Sequence, residues 1–349
     1  MAPQLLELDS VEIQVIIDNE LDPISPSPNP SVTQTGGMRT IGMNGPDIST
    51  DSKRAGAVKE LRMDHICCSV HGLSLLITGH RRDQSHTILF DTGPEESAWE
   101  RNAKRLKADV GSIERVVLSH WHRDHSGGML KVLSMINEAR STNTTSLPQE
   151  PVHVDLHPSR PEYRGMQPPD LPVVSLEADP TFAEIGSTGA VVDRRSDAHT
   201  VLSDFFLVSG EIPRVTEYEK GLKFGMRLDE GKDKWEQDEE VADERFLMCK
   251  IKDKGILTFT GCSHAGVVNA AKHSLELADS APLYAIMGGF HLADAEPEQI
   301  EATAADLKAL DVKVLLAGHC TGWRAKFELE RVFGRGSLVP SFVGSRFVL

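Results

Sequence analysis

The stretch Ile113-Glu114-Arg115-Val116-Val117-Leu118-Ser119-His120-Trp121-His122-Arg123-Asp124-His125-Ser126-Gly127-Gly128 decides how this chain folds. Its apolar first half, ending at Ser119, reads as a strand over 113–119. Its second half packs three histidines and one aspartate into the six positions 120–125. After the two glycines, Met129, Val132, Leu133 and Ile136 fall at helical spacing, which predicts a helix over 129–139. The cluster therefore sits where a strand ends and a helix begins. Alternate side chains of an extended segment point the same way, so His120 and His122 can grip one cation. Asp124 and His125, on the turn into the helix, project at a different angle and can hold a second. Imidazole and carboxylate donors suit Zn²⁺, and also Fe or Mn. Gly127 and Gly128 let the backbone pass close to the cluster. A solvated, histidine-rich loop is the alternative, and the apolar strand feeding the cluster argues against it.

Upstream, HGLSLLITG (71–79) and HTILFDTG (86–93) are β-rich runs separated by turn residues, which predicts a hairpin. A helix is expected around 97–107. VEIQVII (11–17) reads as a buried strand ending at Asp18-Asn19-Glu20. Residues 23–60, rich in Pro, Ser, Gly and Asn, read as a long loop or insertion. Downstream, 140–151 is a polar linker, and 153–255 alternates short strands with loops. The charged stretch 227–245, within an excursion over about 219–245, reads as solvated surface. The last third is regular, with strands GILTFT (255–260), LYAIMGG (283–289) and VKVLLAG (312–318) alternating with helices over 267–278 and 297–310. A hairpin-rich front followed by strand–helix alternation indicates an α/β fold of two sheets sandwiched between helices, in one domain over 1–349. His264, His291 and His319 each follow an apolar strand and a glycine, so all three should gather at one sheet edge.

The H-x-H-x-D-H pattern after a strand resembles the motif of the metallo-β-lactamase superfamily. Phe90-Asp91-Thr92-Gly93 resembles the upstream Asp–Gly motif that supports the metal loop. Gly261-Cys262-Ser263-His264-Ala265-Gly266, Gly288-Gly289-Phe290-His291-Leu292, Gly318-His319-Cys320-Thr321-Gly322 and Gly210-Glu211-Ile212-Pro213-Arg214 are similar to a subgroup related to dihydropteroate synthase or aminobenzene ribofuranosyl phosphate synthase. The resemblance covers about 11–20 and 63–325, and implies the αββα sandwich of that superfamily. It also implies that His264 completes a first metal site with His120 and His122, and that His319 joins Asp124 and His125 at a second. Two Zn ions are then expected, with Mn or Fe as alternatives. Many superfamily members place a bridging Asp where this chain has GGFHL. The bridge is then missing here, and His291 would contact substrate or a developing oxyanion, or support the ligands from behind. Arg214 would clamp a carboxylate or phosphate of the substrate, or form a surface ion pair. Cys262 and Cys320 read as small buried residues, with soft ligation as the alternative. Trp121 reads as packing, and His65, His153 and His157 have no decisive spacing.

Composition sets outer bounds. The 349 residues are 40% hydrophobic and 26% charged, with a formal net charge of −15. Such a surface repels polyanions and makes nucleic acid a poor partner. The five cysteines (Cys67, Cys68, Cys249, Cys262 and Cys320) are odd in number and show no disulfide spacing, which fits a reducing, cytoplasmic setting. Adjacent Cys67 and Cys68 would face opposite sides of a strand. The N-terminus lacks a basic start followed by an apolar run, and no apolar stretch approaches the roughly 20 residues of a membrane span. The apolar tail 338–349 should pack on the core or on another subunit.

The activity implied by resemblance is metal-assisted hydrolysis of a small molecule. Asp124 would orient the nucleophile or accept its proton, and His291 would stabilise the oxyanion. The expected substrate is a cyclic amide or ester, a lactam or lactone, for which some fungal members of the subgroup suggest a benzoxazolinone-type detoxification. The alternatives are phosphoester or pterin-related chemistry and a non-hydrolytic, metal-binding redox protein.

Overall fold

The strand from Ile113 to Val117 is central to an eight-stranded sheet. In order, its strands are Val191–Arg194, His153–Leu156, Ile113–Val117, Gln84–Phe90, Ser74–Arg81, Ser10–Ile17, Arg346–Val348 and Thr33–Thr35. The computed structural model describes residues 4–48, 54–142, 150–278 and 281–349. A seven-stranded sheet runs His199–Val201, Phe206–Val208, Leu247–Ile251, Gly255–Thr260, Leu283–Gly288 and Val314–Ala317, with Glu7–Leu8 beside Leu247–Ile251.

Strand alternation explains the layering. Ile88 and Phe90 enter the core between the sheets, while Leu89 faces the helices Glu96–Leu106 and Met129–Thr142. In the second sheet Leu257, Phe259, Met287 and Leu316 face inward. Ile256, Ile286 and Leu315 face the helices Val267–Leu277, Pro297–Ala309 and Trp323–Phe333. The result is the four-layer αββα sandwich. Gln84–Phe90 and Ile113–Val117 run parallel, as do Gly255–Thr260, Leu283–Gly288 and Val314–Ala317. Their C-terminal ends release 91, 118–128, 261–266, 289–292 and 318–322, the segments that build the site.

Several segments depart from the sequence reading. The insertion 23–60 contributes the strand Thr33–Thr35 and a short helix Met38–Met43. Its strand pairs with Arg346–Val348, so the apolar tail is an inner strand of the first sheet. The helix expected over 129–139 runs to Thr142, so the polar linker begins later than expected, and 143–149 of it lie outside the described residues. Cys67 and Cys68 sit in a loop rather than a strand, the first buried and the second half-buried, and all five cysteines are unpaired.

The charged excursion is the largest correction. Its pairing of Gly225–Leu228 with Tyr163–Met166 belongs to a small four-stranded sheet, and much of 228–240 is exposed. Yet Glu219, Asp243, Glu244 and Arg245 are buried. Arg164 binds Asp238 and Asp243, and Arg245 holds Asp155 at 2.8 Å. Burial pushes the Asp155 carboxyl up, but His199 and Arg245 pull it down to about 2. These charges stay inside because each has a partner of opposite sign or a buried N–H to accept from.

Candidate metal centre

The histidine loop is held from both sides before any donor is considered. Asp91, in the left-handed region at φ 60°, ends the strand Gln84–Phe90. Its carboxylate accepts from the Ser119 N–H at 2.7 Å, the Ser119 hydroxyl at 2.8 Å and His125 Nδ1 at 2.6 Å. From the other side, Asp243 accepts from the Trp121 N–H at 2.8 Å, and the Arg245 N–H donates to the Ser119 carbonyl at 2.8 Å. Trp121 is fully buried and donates its indole N–H to the His157 carbonyl, a packing role. A Cβ at Gly127 or Gly128 would collide with the carbonyl of Pro94 or Thr92, so the close backbone approach requires both glycines.

Three ring nitrogens converge in a first cluster. His120 Nε2 lies 2.8 Å from His122 Nδ1, which lies 3.1 Å from His264 Nε2. The Ser119 hydroxyl gives its proton to Asp91, so it accepts from His120 Nδ1–H and leaves the His120 Nε2 lone pair facing the cluster. Burial first, then the neighbouring cationic groups, lowers the pKa of all three rings well below the usual histidine range. They are neutral, as metal ligation requires. Three converging, buried ring nitrogens whose charged forms are disfavoured are the donor set of a cation.

A second cluster holds Asp124, His125, Cys262 and His319. Asp124 Oδ2 is 3.4 Å from Nε2 of both His125 and His319. Cys262 Sγ is 3.2 Å from His125 Nε2 and 3.0 Å from His319 Nε2. A tetrahedral ion bound at about 2.0–2.3 Å has ligand-to-ligand edges of roughly 3.3–3.8 Å, so this set needs only small adjustments. Both histidines present Nε2, because Asp91 holds His125 Nδ1 and Asn19 Oδ1 holds His319 Nδ1 at 2.9 Å. The Gly72 N–H donates to the same Asn19 oxygen at 2.9 Å, which settles the orientation of the amide. Burial pushes the Asp124 carboxyl up, but His125, His319 and His71 outweigh it and hold it well below the usual range. The His120 and His125 rings are 4.4 Å apart, so the two clusters are neighbours.

The structure thus brings together His120, His122 and His264, and separately Asp124, His125 and His319. His291 joins neither set. It sits at φ 50° with its ring 4.5 Å from that of His264, at the rim. Arg214 donates to the main-chain carbonyls of His264, at 3.2 Å, and Glu240. It lines a cavity of about 170 Å³ shared with Glu211, Glu240 and Glu244, which is poor company for an anionic ligand. Its observed work is to hold the His264 loop.

Cys262 stands in the second cluster rather than in plain packing. Sequence reasoning also passed over His71, Asn19, Asp243 and Glu244. His71 is 70% exposed at the rim, with Nε2 3.3 Å from Asp124 Oδ2 and Nδ1 accepting from the Asn19 amide at 3.0 Å. Glu244 accepts from the N–H groups of His264 and Ala265 at 2.8 and 2.6 Å. The available signal for Asn19 and His71 was position, since Asn19 ends a strand and His71 lies just before one, at the edge where the histidines gather.

An αββα sandwich with two buried donor clusters at the ends of its parallel strands defines a class of metal-binding proteins. Residues 70–199 match the Metallo-beta-lactamase superfamily. The chain is 30% identical over 261 residues to the 7,8-dihydropterin-6-methyl-4-(beta-D-ribofuranosyl)-aminobenzene-5'-phosphate synthase of Methanocaldococcus jannaschii, covering 74% of this chain and 83% of the relative. The chain belongs to the metallo-beta-lactamase superfamily. A shorter match, 40% identical over 70 residues, links 19% of this chain to 22% of the lactamase-like protein adaB of Aspergillus niger. The solved structure of Tm1679, a metal-dependent hydrolase of the beta-lactamase superfamily, aligns over 96% of this chain and 98% of its own, with TM-score 0.65 and 20% identity, a likeness of fold.

Proposed function

We propose that this chain is a metal-dependent hydrolase that opens a small cyclic amide or ester. The observation that carries the reading is the pairing of an incomplete donor set, the three neutral histidines His120, His122 and His264, with a fuller set 4.4 Å away ring to ring. A catalytic site keeps a position free for water or substrate, and three donors leave one. Cations held there supply Lewis acidity and an activated water at neutral pH.

The chain's own residues do the rest. Asp91 and Asn19 fix the tautomers of His125 and His319. Because the Asn19 amide donates to His71 Nδ1, the His71 Nε2 carries a hydrogen and directs it at Asp124 Oδ2, 3.3 Å away. To His291, whose ring is 4.5 Å from that of His264, we assign the contact with an incoming carbonyl. The net charge of −15 disfavours a polyanionic substrate, and the similarity to a lactamase-like protein, short as it is, agrees with ring opening.

The test is a substrate panel of lactams, lactones, benzoxazolinone, thioesters and phosphodiesters, run on metal-loaded protein. Turnover of a cyclic amide or ester is expected, with kcat/KM lower by more than about a hundredfold in His122→Ala and His264→Ala. Cleavage confined to phosphodiesters would sink the ring-opening reading.

A second reading, pterin-related chemistry on a phosphate-bearing substrate, is favoured by the 30% identity to the Methanocaldococcus jannaschii synthase. The engagement of Arg214 with main-chain carbonyls weighs against its use as a phosphate clamp. Inhibition by inorganic phosphate that vanishes in Arg214→Ala would favour this second reading.

A further inference from the structure

The sulfur of Cys262 lies between two buried imidazole nitrogens. His125 and His319 turn their Nδ1 atoms to Asp91 and Asn19, so both Nε2 atoms face the sulfur, at 3.2 and 3.0 Å. Asp124 brings a carboxylate oxygen to the same point. Four donor atoms from four side chains thus crowd one point, and a divalent cation satisfies all of them at once.

Local geometry gives Cys262 to this cluster and His264 to the other. Ser263, between them, lies in the left-handed region at φ 67°, which turns the chain between the two side chains. The neighbouring Cys320 is outside the donor set, and its thiol donates to the Cys262 carbonyl at 3.2 Å. His291, in the segment where a bridging carboxylate was expected, packs on His264 instead.

We propose that Cys262 is a thiolate ligand that closes the second site as an Asp–His–Cys–His set and divides labour between the two sites. The thiol loses its proton to solvent as the cation binds. Two anionic donors then neutralise a divalent charge at the second site, while three neutral imidazoles leave the first site its full charge and its open position. Thiolate also biases the second site toward thiophilic ions such as Zn²⁺, Co²⁺ or Cd²⁺. This assignment rests on the reading that both clusters hold metal.

Cobalt tests it without reference to turnover. Wild-type protein loaded with Co²⁺ should show a near-ultraviolet thiolate-to-cobalt charge-transfer band and about two ions per chain. Cys320→Ala should keep both. Cys262→Ala and the more conservative Cys262→Ser should lose the band and about one ion, with unchanged far-ultraviolet circular dichroism. Two cobalt ions bound without the band, or a band that survives in Cys262→Ala, overturns the assignment alone. A wild-type protein that takes up no cobalt overturns the metal reading and this assignment with it.

Discussion

Asp91 belongs to neither donor cluster, yet three hydrogen bonds from the metal loop end on its carboxylate. An amide in its place has one acceptor oxygen, so Ser119 or His125 must lose its partner and the His125 tautomer is no longer fixed. Asp91→Asn should lower metal affinity by about 10–100-fold while the fold persists. Competition with a chromophoric chelator measures this, and unchanged affinity would refute it. Gly127 tests backbone approach rather than chemistry. Its φ of −63° suits any residue, but a Cβ there runs into the Pro94 carbonyl, which cannot swing aside as a side chain would. Gly127→Ala should cost about 1–3 kcal/mol in urea unfolding. Gly111→Ala, where a Cβ meets only ordinary contacts, should cost much less.

The loop and helix that follow the strand Gly255–Thr260 are pinned by elements distant in sequence. Glu244 caps the N–H groups of His264 and Ala265, and Glu219 caps those of Val268 and Asn269 at 2.9 Å each. The Asn269 side chain returns the contact by accepting from the N–H groups of Val215 and Thr216. Burial raises the Glu219 carboxyl from 4.5 to about 7, although its two N–H partners pull the other way. Below pH 4.5 the group is protonated both folded and unfolded. Between about pH 4.5 and 7 the unfolded chain releases the proton first, so stability falls as pH rises, by up to about 3 kcal/mol. Denaturant unfolding at pH 5 and pH 8 should show wild type losing roughly that much relative to Glu219→Gln, and parallel profiles would refute it. None of this was legible in the sequence. A run such as Asp238-Glu239-Glu240-Val241-Ala242-Asp243-Glu244-Arg245 reads as solvated because local pattern does not reveal which charge meets a buried N–H or an Arg164 from another element.

At the scale of the molecule, the strands and their common edge were legible because hydrophobic runs and strand-end histidines are local signals. The place of Cys262 among the donors was not, because it depends on a left-handed Ser263 and on ring orientations set by Asn19 and Asp91. The partition of donors has a mechanical consequence. His120, His122, Asp124 and His125 leave a strand of the eight-stranded sheet, whereas Cys262, His264 and His319 leave strands of the seven-stranded one. Each cluster therefore draws donors from both sheets, and a cation in either one ties the two halves of the sandwich together at one edge. Binding to the folded state alone contributes about 2.7 kcal/mol for a site held at a hundred times its dissociation constant. Removing metal with a chelator should lower Tm by several degrees. His264→Ala and His319→Ala should each shrink that chelator effect, and the double variant should shrink it further, since Cys262 alone then reaches the clusters from the seven-stranded sheet. If wild-type protein of verified metal content melts at the same temperature with and without chelator, the clusters do not brace the sheets.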